Sequence, residues 1–122
     1  KTPFHIVQSV TAAQINAGYS LIQPGHEASY RVLGITIIVG AAAVTGLTTL
    51  VLQTTDATPV TVASFAVADL TANAKYNTTS TQTTVGGGAL NYRGTGVGLT
   101  VTKTGGSAAG GPVIFIITGD LG

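Results

Sequence analysis

Two histidines, His5 and His26, and four carboxylates, Glu27, Asp56, Asp69 and Asp120, are the stock from which acid–base, nucleophilic or metal chemistry would have to be drawn. Nucleophilic catalysis needs a nucleophile, a base and a group that orients the base, and no nucleophile-elbow pattern surrounds any serine. His26 and Glu27 stand side by side next to Pro24-Gly25. Sequence neighbours on a strand point to opposite faces, so the two make a poor ligand pair and read better as a solvated loop. Gly94-Thr95-Gly96-Val97-Gly98 has the glycine density of a phosphate loop, but a Walker A motif needs Gly-Lys-Ser/Thr opening a helix, and here strand formers follow. These glycines read as turn residues. Asn77-Thr78-Thr79 fits the glycosylation pattern, which a threonine-rich stretch produces by chance. No catalytic, cofactor-binding or metal-binding residue is assigned, and the expectation is a protein that is not an enzyme and uses no cofactor.

The dominant stretch is residues 30–54, which carries no charge between Arg31 and Asp56. Its length suits a membrane helix of ~20 apolar residues, but its composition does not. Ile, Val and Thr are β-branched and fit a pleated strand better than a helix. Glycines at 34, 40 and 46 divide it into two strand-length pieces, 30–39 and 47–54, expected to form a core hairpin.

Composition narrows the function classes. The 122-residue chain is long enough for one continuous core, so residues 1–122 are expected to form a single domain. Charged residues are 7% of it, against roughly 25% in typical soluble domains. The net charge of +1 and the absence of a Lys/Arg cluster leave no footprint for a phosphate backbone, so nucleic acid is not an expected partner, and the strand-like make-up of residues 30–54 sets a membrane aside as well. There is no cysteine, hence no disulfide or thiolate site. No cationic segment followed by an apolar run opens the sequence as a secretion signal. A nearly uncharged surface has little repulsion to keep copies apart, which suits a surface that is covered by neighbours.

Along the chain, Phe4-His5-Ile6-Val7-Gln8-Ser9-Val10 is a run of strand formers. Thr11-Ala12-Ala13-Gln14 has the spacing of a capping box, and Gly18 is placed to end one or two helical turns. Pro24-Gly25 predicts a type II turn. Residues 60–65 and 99–103 alternate, 67–74 suit a helical turn or an irregular crossing, 76–84 suit a surface loop or exposed strand, and 105–111 a wide turn. The last strand, 112–118, is apolar on both faces, as is 35–39. Eight extended segments with Gly/Pro/Asn turns predict an all-β fold, a jelly-roll-like antiparallel β-sandwich with one or two short helical turns. An antiparallel sandwich strand normally shows one face to solvent. The second apolar face of these two strands must be covered either by the short helical pieces or by a neighbouring subunit, and the shortage of surface charge favours a subunit interface with Ile35, Ile37, Ile114 and Ile116 as its residues.

Three stretches carry a family resemblance. They are Val10-Thr11-Ala12-Ala13-Gln14-Ile15-Asn16-Ala17-Gly18 leading to Leu21-Ile22-Gln23-Pro24-Gly25, then Tyr30-Arg31-Val32-Leu33-Gly34, and Gly98-Leu99-Thr100-Val101 followed by Gly105-Gly106-Ser107-Ala108-Ala109-Gly110-Gly111-Pro112-Val113. Together the chain resembles the small jelly-roll domains on tailed-bacteriophage virions, the head decoration (cement) proteins and related head-fibre bases. The resemblance implies a homotrimer on the outer surface of the capsid, bound to the major capsid protein and holding adjacent subunits against internal pressure. In that setting residues 1–10 have two readings. They are either an extended arm whose Phe4 and Ile6 reach the capsid by strand addition, or the first strand of the sandwich. A carbohydrate-binding or adhesive sandwich is the alternative function. It would use exposed aromatics, of which Tyr19, Tyr30, Tyr76 and Tyr92 are the candidates. A metal-dependent jelly-roll hydrolase would need a histidine cluster that two distant histidines do not make.

Overall fold

The computed structural model describes residues 2–23, 25, 29–55, 57, 59, 61–77, 84–85 and 96–121. In chain order these form β1 (Thr2–Val10), α1 (Ala12–Ala17), β2 (Tyr19–Ile22), β3 (Tyr30–Thr54), β4 (Thr61–Ala66), a 3-10 turn (Val67–Asp69), β5 (Lys75–Asn77), β6 (Thr84–Val85) and β7 (Leu99–Leu121). The fold is all-β and every strand pairing is antiparallel.

The two long strands organise it. β3 and β7 pair with each other from Tyr30↔Leu121 to Thr54↔Leu99 as one ribbon. One half of this ribbon, residues 30–39 against 113–121, is flanked by β1 on β7 and by β5 on β3. The other half, 49–54 against 99–104, is flanked by β2 on β7 and by β4 on β3, with β6 beyond β4. Core side chains from both halves belong to one buried cluster, Ile35, Ile37, Phe115 and Ile117 from the first and Leu50, Leu52, Phe65 and Val101 from the second. The ribbon is thus folded over into two facing layers, which is the jelly-roll arrangement. With each long strand counted as two halves, and β6 as a short addition, the described strands number the eight of a jelly roll.

The bend explains where the sequence misleads. Residues 30–39 and 47–54 were expected to pair with each other, and 105–111 to form a wide turn. Instead both segments stay extended and pair across the ribbon, Ala42 with Gly111, Thr45 with Ala109 and Leu47 with Gly105. Register shifts at Val39/Ala42, Ala42/Thr45, Thr45/Leu47 and Leu47/Thr49 mark successive bulges, which bend and twist a strand without reversing it. They also move the buried set from Ile35, Ile37 and Val39 through Val44 and Leu47 to Leu50 and Leu52, so the same side of the ribbon faces the core in both layers. Gly46 (φ 89°) and Gly110 (φ 85°) make this possible, because a Cβ on either would overlap the carbonyl oxygen of Ser107 or Ala43 respectively.

The outside of the bend is tied down by two short elements. Beyond the 3-10 turn, the chain runs along β3 and accepts or donates three backbone bonds: Val39 N–H to the Ala74 carbonyl (2.8 Å), Asn73 N–H to Gly40 (2.8 Å) and Val44 N–H to Leu70 (2.9 Å). On the β7 side, α1 forms as its capping box requires. Thr11 Oγ1 accepts from Gln14 N–H (3.2 Å), Gln14 Oε1 accepts from Thr11 N–H (2.9 Å), and Gly18 ends the helix at φ 82°. Asn16 on this helix then holds the bend, donating to the Ala108 carbonyl (3.1 Å) and accepting from its N–H (2.7 Å).

Residues 2–10 form the first strand of the sandwich, in register with β7 at every position from Thr2↔Leu121 to Val10↔Val113. Gly25 has the positive φ (88°) that the turn required, while Pro24 lies outside the described residues. Among the described residues no helix is long and apolar enough to cross a membrane.

Candidate association face

The outward side of the first layer is built by alternation. On β7, Val113, Phe115 and Ile117 point into the core, so Ile114 and Ile116 point out. Their neighbours across the ladder are fixed by register: Ile114 lies between Ser9 on β1 and Ile38 on β3, and Ile116 between Val7 and Thr36. Ile38 in turn lies beside Lys75 of β5. Directly opposed side chains in such ladders are within contact reach. Ile38, Ile114 and Ile116 are half-buried by these neighbours, and Val7 at the margin is 58% exposed. His5, Ser9 and Thr118 complete the rim, all exposed.

The second layer turns a different surface outward. Thr100, Thr102 and Thr104 alternate along β7, with Thr49, Val51 and Gln53 beside them on β3 and Ser64 on β4. The hydroxyls bond one another, Ser20 to Thr100 at 3.3 Å and Thr49 to Thr104. Val51 is covered to 8% exposure among them. One outer face is therefore lined with polar side chains, two pairs of whose hydroxyls bond each other, while the other has an aliphatic centre.

The residues expected from the sequence divide accordingly. Ile114 and Ile116 lie on the outward aliphatic face. Ile35 and Ile37, grouped with them from sequence, are 2% and 0% exposed inside the protomer, because the strand's alternation turns them to the core. Among the described side chains, the aliphatic contribution of β3 to the outer face comes from Ile38. Val7 and Ile38 escaped notice, although both follow from parity: once Ile6 and Ile37 face inward, their neighbours face out. Phe4 and Ile6, expected to reach a capsid partner, pack against the core. Phe4 meets the Tyr30 ring edge to face, with centroids 6.3 Å apart and planes at 84°. Tyr30 is buried and its hydroxyl donates to the Gly98 carbonyl at 3.0 Å, tying the start of β3 to the approach to β7. These contacts exist because β1 is laddered to β7 and so cannot carry its inward side chains elsewhere.

Charge is sparse on the first face. Lys75 stands at one margin, and Asp120 at the other end of β7, between Pro3 and Arg31 by register. Among the described residues no three His, Cys, Asp or Glu side chains cluster as a metal site. The pairing of His26 with Glu27, together with Asp56, lies outside the described residues. No protein-family model matches the chain, and neither a curated protein nor a solved structure is significantly similar to it.

Proposed function

We propose that this chain is a non-enzymatic structural protein of a virion, a homotrimer that coats the outside of a phage capsid and stabilises it by binding the major capsid protein. The observation that carries the reading is the contrast between the two outer faces of the jelly roll. Apolar surface left in water is unfavourable by about 25 cal/mol per Å². Ile38, Ile114 and Ile116, placed together on the first layer, gain from being covered, whereas the hydroxyl face of the second layer does not. A protomer of this kind turns its first layer toward neighbours and its second toward solvent. The jelly-roll topology and the low charge of the surface fit the same role.

A sugar-binding role has less behind it. Tyr19 and Tyr76 pack against the core and Tyr30 is buried, which leaves no described tyrosine as an open stacking platform; Tyr92 lies outside the described residues. The test is occupancy. Purified protein mixed with phage heads lacking their decoration should bind in multiples of three and raise the temperature at which the heads rupture. A protein that binds no head and raises no rupture temperature would overturn the proposal.

A further inference from the structure

Every open sheet has edges, and natural proteins blunt them with short strands, charges, bulges or proline, because an unpaired row of N–H and C=O groups is a template for another strand. Among the described strands the edges are treated unequally. β5 is three residues long and carries Lys75, β6 is two residues long, and β2 is four with a register shift between Ser20 and Ile22. β1 is nine residues long and pairs with β7 without a single shift. It contains no Lys, Arg, Asp or Glu, and its proline stands at position 3, near one end. Among the described residues β1 has no second ladder partner; Gln8 Nε2 donates locally to the Ser9 carbonyl (3.1 Å). A second observation points to the same strand: Val7, 58% exposed, is the one exposed large hydrophobic side chain among the described residues.

We propose that the free edge of β1 pairs antiparallel with β1 of a second copy across a two-fold axis, joining the first layers of two copies into one continuous sheet. The strand is complementary to itself. In a register centred on Ile6, the exchange sets Ile6 on Ile6, His5 on Val7, Phe4 on Gln8 and Pro3 on Ser9, so no Lys, Arg, Asp or Glu is placed opposite another. Inward side chains meet inward ones, and on the outer face the exposed Val7 of each copy meets His5 of the other instead of water. An isologous contact of this sort closes on itself and does not propagate as a fibre. It is separate from the three-fold contact proposed above; it doubles a monomer, and it doubles a trimer whose three β1 edges close together about two-fold axes perpendicular to the three-fold axis.

The full chain is examined by sedimentation equilibrium over a wide concentration range, with amide exchange followed by NMR. Pairing predicts a two-fold rise in mass with concentration, and slowed exchange at alternate amides of β1 in the heavier species. A synthetic peptide of residues 2–10 in excess should return the mass to half, and the same peptide N-methylated along both edges should not. Val7→Lys should abolish the doubling while keeping the circular dichroism spectrum; should that variant not fold, the two peptides still decide the matter. Trimer doubling to hexamer upholds both proposals, and monomer doubling to dimer upholds β1 pairing alone. A mass that never doubles, or a doubling untouched by the peptide, overturns β1 pairing whatever the underlying unit.

Discussion

Asn16→Ala should cost far more than an exposed helix residue normally does. Surface substitutions away from special features usually change stability by under about 0.5 kcal/mol, and alanine is the better helix former. Asn16, however, makes two hydrogen bonds to the backbone of Ala108, at 3.1 and 2.7 Å, from a sequence separation of 92 residues. Ala108 is 7% exposed, so water has poor access to the groups that would be left behind. Each bond contributes about 1 kcal/mol net, and an unsatisfied buried group costs about 1–3 kcal/mol. A loss of about 2–3 kcal/mol follows. For a chain of this size one kcal/mol corresponds to roughly 4 °C in melting temperature, so Tm should fall by about 8–12 °C. The assay is thermal unfolding by circular dichroism, paired with amide exchange at Ala108, whose N–H should change from slow to fast. A Tm within about 2 °C of wild type, with the Ala108 amide still protected, would refute the view that α1 holds the bend of the ribbon.

Three further outcomes follow from the same structure. Gly46→Ala forces a left-handed residue and sets a Cβ against the Ser107 carbonyl, so it should lower stability by more than about 2 kcal/mol, measured by urea unfolding; an unchanged midpoint would contradict the bulge at this position. Thr11→Ala removes one half of the capping box and should cost about 1 kcal/mol, roughly 4 °C in Tm, without altering oligomer mass. Ile116→Lys places a charge in the centre of the aliphatic face, where an unpaired charge would cost several kcal/mol if the face is covered. It should dissociate the assembly in light scattering while leaving the protomer folded, whereas Ile117→Lys, aimed into the core, should prevent folding.

Much of this fold was legible in the residues. The capping box Thr11 to Gln14, the β-branched runs at 30–39 and 113–117 and the alternation at 99–103 each named the right element, because each is a local pattern with a local cause. The connection of those elements was not. Gly40, Gly46, Gly105 and Gly110 signal a departure from regular geometry, but glycine permits a bulge and a reversal alike. Only the two glycine-rich segments lying opposite each other, which is a long-range fact, turn both into a bend. The same limit applies to the outer face. Ile114 and Ile116 were found from their apolar run, but assigning Ile38 in place of Ile35 and Ile37 required knowing which parity faces the core. For β1, Phe4 and Ile6 look equally suited to an arm or a strand until the ladder with β7 settles their direction.

If other copies of the chain cover the aliphatic face of the first layer, the wild-type protein in dilute solution should scatter light with three times the chain mass of 12.1 kDa, and Ile116→Lys should reduce that to the chain mass. A wild-type protein that scatters as a monomer, with Ile116→Lys indistinguishable from it, would show that no copy covers this face.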